Sequence, residues 1–130
     1  MHEPDLQYLW AHPQTPTWDQ VRGFFLQTLE KARIALRMGP SLFTTFRAAG
    51  LPEPRLLVET FAEGGPEAPA WGWANVVSAA IPLMERLGVA TRAEVNPATL
   101  ADRLLAETLA NDGCVIGPVM TGAWVNLPAA

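Results

Sequence analysis

Residues 114–125 read CVIGPVMTGAWV, and the way this run pairs decides the fold. Its apolar and β-branched residues suit a pleated, half-buried surface. Gly117 followed by Pro118 marks a bulge or bend within it, since glycine relaxes the backbone and proline withdraws a ladder donor. A second run of the same kind lies at residues 55–62, RLLVETFA. The two are expected to pair as an antiparallel β-hairpin. Two strands make a marginal sheet in water, so helices of this chain or another chain must cover them.

The rest of the chain has helical spacing. Thr17 and Gln20 stand at the separation of a capping box, and Trp18, Val21, Phe25, Leu29, Ala32 and Leu36 then recur on one face. Gly39 and Pro40 read as the stop of that helix. A shorter helix from about residue 41 buries Leu42, Phe43 and Phe46 and is capped by Gly50. Trp71, Ala74, Val77, Ile81 and Met84 share a third face, with Pro82 as a kink and Gly88 as its end. Thr91 and Glu94 again have capping-box spacing, over a short turn. Asn96 and Pro97 open a last helix that carries Leu100, Leu104 and Thr108 inward. Pro4, Pro13 and Pro16 oppose a helix in residues 1–16, which read as extended. The expected class is therefore α+β, with about four helices and an antiparallel pair of strands near 55–62 and 114–125. It forms a single domain over residues 1–130, with a helical insertion at 64–112 between the strands.

Composition narrows the function. Hydrophobic residues make up 49% of the chain and charged residues 17%, which excludes a disordered polymer and leaves a surface poor in charge. One lysine, Lys31, and scattered arginines give no phosphate-binding cluster, so no nucleic-acid partner is expected. The N-terminus MHEPDLQYLW lacks the basic start and apolar run of a signal peptide. No stretch approaches the length of a membrane span. The expected setting is cytoplasmic, with no membrane association. Cys114 stands alone, so an internal disulfide and a cysteine-rich zinc site are excluded.

Catalytic constellations are not legible. Ser41 and Ser78 are the only serines and neither lies in a G-x-S-x-G turn; Ser41 reads as a helix cap. Cys114, beside Val115 and Ile116, reads as an inert thiol. His2, Glu3 and His12 match no common metal spacing. No catalytic and no metal-binding residue is assigned. The five tryptophans say more. Trp71 and Trp73 are two positions apart, so on a helix they point about 200° from one another. One of them can plug the core while the other faces a ligand or partner.

Read in order, the segments resemble the C-terminal portion of class I S-adenosylmethionine-dependent methyltransferases. EPDL (3–6) is similar to the segment after the fifth sheet strand of that family. MGPSLFTTFRAAGLPEPRL (38–56) resembles the helix and turn before strand six. GGPEAPAWGW (64–73) and IPLMERLGVATRAEV (81–95) resemble a helical insertion before strand seven, and GCVIGPVMTGAWV (113–125) resembles strand seven itself. In that family strand seven lies between strands five and six, and part of the substrate cavity lies under the segment after strand five and under the insertion. The resemblance thus implies Glu3, Trp10, His12, Trp71 and Trp73 as substrate-side residues, with Trp71 or Trp73 lining a cavity with Trp10 or His12.

The family holds its cofactor through a glycine-rich loop in its N-terminal half and an acidic residue on the ribose. This chain has ten glycines and no G-x-G. No cofactor-binding residue carries over, and no S-adenosylmethionine binding by this chain alone is expected. The resemblance implies a methyltransferase-like, substrate-side module that binds or assembles and does not catalyse alone. The alternatives are a complementing subunit of a split methyltransferase, with a separate cofactor-binding chain as partner, or an unrelated domain for a small-molecule ligand. Since little of strand five is present, the outer edge of residues 114–125 is expected to be bare. A homodimer through that strand is the expected repair.

Overall fold

The computed structural model describes residues 1–129. In chain order the elements are β1 (His2–Asp5), β2 (Ala11–His12), α1 (Pro16–Lys31), α2 (Met38–Ala48), β3 (Arg55–Glu59), β4 (Ala62–Gly64), α3 (Ala70–Ala79), α4 (Ile81–Arg86), α5 (Arg92–Val95), α6 (Pro97–Ala110), β5 (Cys114–Ile116) and β6 (Val119–Trp124). The class is α+β. The stripe through residues 71–84 is divided at Ala80, just before Pro82, and the Thr91 turn is a short helix of its own. Residues 55–64 and 114–124 do pair antiparallel, but as two ladders: β3 with β6 and β4 with β5. Gly117 and Pro118 divide the long run. A Cβ on Gly117 would lie 2.4–2.8 Å from three ring carbons of Phe61, so a larger residue there must displace that half-exposed ring.

The chain forms two compact units. The first contains Met1–Tyr8, Ala35–Thr60 and the residues from Pro118 on; the second contains Leu9–Ile34 and Phe61–Gly117. In the first unit the sheet order is β1-β6-β3, with β6 antiparallel to both neighbours. Helix α2 covers the face that carries Thr121 and Ala123, both nearly inaccessible, and it buries Leu42 completely. The approach is close at Gly39, where a Cβ would lie 2.7 Å from Thr121 Oγ1 and 2.9 Å from the Glu3 carbonyl. Gly39 is thus a contact glycine inside α2 and does not stop α1. Pro40 is tolerated because it sits in the first turn, where N–H groups lack helical partners anyway. Helix α1 ends earlier, at Lys31. Arg33 takes a left-handed conformation (φ 59°) and the Ile34 N–H reaches back to the Leu29 carbonyl at 2.9 Å, which closes the helix as a glycine would.

The second unit has the sheet order β2-β5-β4. Helices α1, α3, α4 and α6 enclose a core of Val21, Val77, Ile81, Met84, Leu100 and Leu104, all essentially without solvent contact. Each such side chain contributes about 1.5–3 kcal/mol by leaving water. The Thr91–Glu94 capping box forms as its spacing requires, with Glu94 N–H donating to Thr91 Oγ1 and the Thr91 N–H donating to the Glu94 carboxylate. The Thr17–Gln20 box does not form. Thr15 is the N-cap of α1 and Pro16 opens the helix. Ser41 is not a cap either: its hydroxyl donates to the Arg37 carbonyl from within α2.

Two expectations are corrected. Residues 1–16 are not merely extended, because they supply β1 and β2. The edge of residues 114–125 is therefore not bare: β1 pairs with β6 and β2 pairs with β5, on the side away from β3 and β4. Pro4 does not prevent this pairing. The Met1 ammonium donates to the Ala123 carbonyl and the Ala123 N–H donates to the Met1 carbonyl. By alternation, even-numbered residues of β1 point their backbone groups away from β6. The missing donor of Pro4 therefore falls on the outer edge. β5 and β6 are central strands with no edge to offer a second copy.

Candidate functional site

The tryptophans of the second unit organise it. Trp10, just before β2, lies parallel to Trp73 of α3, with ring centroids 3.9 Å apart and planes 8° apart. Phe25 of α1 meets Trp10 edge-on at 5.5 Å. The Trp73 indole donates to the Ile116 carbonyl at 2.7 Å, and the Ile116 N–H donates to the Trp10 carbonyl at 2.8 Å. Stacking and hydrogen bonds therefore join α3, β5 and the approach to β2. Trp18 is anchored similarly, its indole donating to Thr108 Oγ1 at 2.9 Å. The space beside Trp10 amounts to about 10 Å³, too little for a ligand.

Trp71 turns the other way. Its side chain is 63% exposed, whereas Trp73 is buried. The opposed directions expected from the two-residue spacing are realised. Trp71 borders a depression of about 220 Å³ walled by the 66–70 turn and by Ala101, Asp102 and Leu105 of α6. Glu67 and Asp102 give that wall a negative character, which suits a flat apolar group carrying positive charge. A second depression, of about 450 Å³, is lined by Glu85, Gly88, Val89, Ala90, Thr91 and Glu94. Its carboxylates are engaged by the backbone: Glu85 accepts from the Arg92 N–H, and Glu94 from Thr91. The Thr91 backbone and hydroxyl hold the Glu94 carboxyl below its ordinary pKa.

Of the five residues singled out from sequence, Trp10 and Trp73 are thus brought together, as a filled core and not as a cavity wall. Trp71 is separate and alone borders open space. His12 is exposed on β2 and stands opposite Cys114 of β5, which is half-buried. Glu3 belongs to the first unit, in β1 opposite Thr121. Sequence reasoning missed Glu67 and Asp102, since isolated acidic residues on a turn and a helix carry no spacing signal. Glu107, which in sequence reads as a solvated charge, is engaged as well. Burial raises the pKa of that carboxyl, but hydrogen bonds from the start of α1, including the Thr17 N–H at 2.9 Å, outweigh it and hold the group below its ordinary value.

Gly64 ends β4 and Gly65 follows it, and Pro66 and Pro69 deprive the segment before α3 of two backbone donors. Among the described residues, no group of three His, Cys, Asp or Glu side chains is placed to hold a metal ion. No helix among them is long and apolar enough to cross a membrane. No protein-family model, curated protein or solved structure matches the chain.

Proposed function

We propose that this chain is the substrate-side, C-terminal module of a class I S-adenosylmethionine-dependent methyltransferase, and that it binds or assembles without catalysing alone. One observation carries the reading: the strand order β1-β6-β3, with the last strand inserted antiparallel between the first and the third. It is the order in which strands five, seven and six of that family lie, with residues 2–5 taken as strand five itself and not, as the sequence resemblance has EPDL, as the segment after it. A helix, α2, precedes β3 as one precedes strand six. Shared topology does not by itself give a shared activity, so the reading extends to a module and not to a reaction of this chain. Within it, the Trp71 depression, with Glu67 and Asp102, is the place for contact with a cationic or aromatic acceptor.

Calorimetry with S-adenosylmethionine tests the reading. It is run on the chain alone and on an equimolar mixture with a separately expressed cofactor-binding half of the class. No binding to the chain alone is expected, and binding with methyl transfer is expected in the mixture. Stoichiometric micromolar binding by the chain alone would overturn it, as would a mixture that behaves as the sum of its parts.

A further inference from the structure

The first unit has two sheet edges, and only one of them is guarded. The outer edge of β1 lacks a donor at Pro4, and the Leu6 N–H on that side is taken by the Leu36 carbonyl at 2.9 Å. The Arg37 guanidinium lies 3.4 Å from the Asp5 carboxylate there. Proline, a crossing backbone segment and charge are the usual means of keeping an edge from pairing. The edge of β3 has no proline and no crossing backbone segment along its length, and its two charges, Arg55 and Glu59, are opposite in sign and stand at its ends. All five of its residues are exposed, and the central three, Leu56, Leu57 and Val58, are apolar.

Backbone direction on this edge follows from the opposite one. Ala123 exchanges hydrogen bonds with Met1, so Ala123 and Thr121 point their backbone groups at β1, while Met120, Gly122 and Trp124 point theirs at β3. Their partners Glu59, Leu57 and Arg55 face inward. Leu56 and Val58 therefore turn their N–H and C=O groups outward. A second β3 can use those groups only in antiparallel registers that set even residues opposite even residues. Centring on Leu56 sets Arg55 against Leu57, and centring on Val58 sets Glu59 against Leu57. Centring on Leu57 sets Arg55 against Glu59 twice, Leu57 against itself, and Leu56 against Val58. The sequence RLLVE is complementary to itself in that register alone.

We propose that β3 is a homodimer interface, in which two copies join edge to edge, antiparallel, about a two-fold axis at Leu57. Each symmetric Leu56–Val58 pair exchanges two backbone hydrogen bonds. The two Leu57 side chains meet at a close, non-hydrogen-bonded position, and an Arg55–Glu59 pair flanks them on either side. The ladder ends at Pro54, which has no N–H to extend it. The result is one continuous sheet with three strands from each copy, an isologous interface of the kind two-fold symmetry requires. This inference is independent of the methyltransferase reading, since it rests only on the register and sequence of β3.

Sedimentation velocity over the micromolar range, with far-UV circular dichroism on every variant, tests it. The unaltered chain is expected to run as a dimer. Arg55→Glu and Glu59→Arg each place like charges opposite one another and are expected to weaken the dimer about tenfold. The double variant restores opposite charges and is expected to recover it. Arg55 also lies over the Trp124 ring, so Glu59→Arg provides a reversal free of that contact. Val58→Pro removes an outward donor without touching the β6 ladder and is expected to give a folded monomer. A monomeric parent chain would overturn the proposal, and so would folded single reversals that dimerise unchanged or a double variant that stays as weak as either single one.

Discussion

Replacing Trp73 by phenylalanine separates the structural tryptophan from the exposed one. The change deletes the indole N–H that donates to the Ile116 carbonyl at 2.7 Å. Leaving that partly buried carbonyl without its partner costs about 1–2 kcal/mol. The smaller ring also gives up part of the parallel overlap with Trp10, a contact of about 0.5–1.5 kcal/mol, and leaves unfilled volume beside Trp10 that costs about 1 kcal/mol. The sum is about 2–4 kcal/mol, a large part of a small domain's roughly 5–15 kcal/mol. At about 4 °C per kcal/mol for a chain of this size, the melting temperature should fall by about 8–16 °C. Trp71→Phe, at a side chain 63% exposed, should stay within about 0.5 kcal/mol of the parent. Urea and thermal unfolding followed by far-UV circular dichroism measure both. Equal losses in the two variants, or a larger loss at Trp71, would refute the assignment of Trp73 and Trp10 to the core.

Three further outcomes follow from single side chains. Gly39→Ala forces a Cβ against the Glu3 carbonyl and Thr121 and should destabilise by about 1–3 kcal/mol, whereas Gly23→Ala, with open space around it in α1, should stabilise by about 0.5–1 kcal/mol; urea midpoints distinguish the two. Glu107 has a folded-state pKa below its unfolded value, so its stabilising contribution is present above about pH 4.3 and is lost as pH falls through the folded pKa. Glu107→Gln should flatten that acid limb, and unfolding midpoints between neutral and acid pH will show it. Gly117→Ala would bring a methyl within 2.4–2.8 Å of the half-exposed Phe61 ring, which must swing aside, and should destabilise by about 1–3 kcal/mol, seen as a lower midpoint in a thermal scan.

What the sequence disclosed and what it hid have separate physical causes. The pairing of residues 55–64 with 114–124 was legible because two apolar, β-branched runs in one short chain have few other partners. The Thr91–Glu94 box and the Gly50 and Gly88 stops were legible because each rests on local chemistry, and both glycines do adopt positive φ. The first strand was not, since HEPD with its proline has no strand propensity and is held by backbone bonds to β6. The end of α1 was hidden because Arg33, not glycine, takes the left-handed turn. Gly39 misled because a glycine demanded by close helix–sheet contact looks in sequence like a helix terminator. At the candidate site, the divergence of Trp71 and Trp73 follows from helical geometry alone. The Trp10–Trp73 stack joins residues 63 positions apart, and nothing local encodes it.

The strand order β1-β6-β3 carries the functional proposal, and residue-resolved amide hydrogen exchange on β6 tests it most directly. If β6 is flanked on both sides, Met120, Gly122 and Trp124 are protected by β3 and Thr121 and Ala123 by β1, so all five amides from 120 to 124 should exchange slowly. Slow exchange at 120, 122 and 124 with fast exchange at 121 and 123 would mean that β1 does not lie on the sheet, and the correspondence with the methyltransferase strand order would be lost.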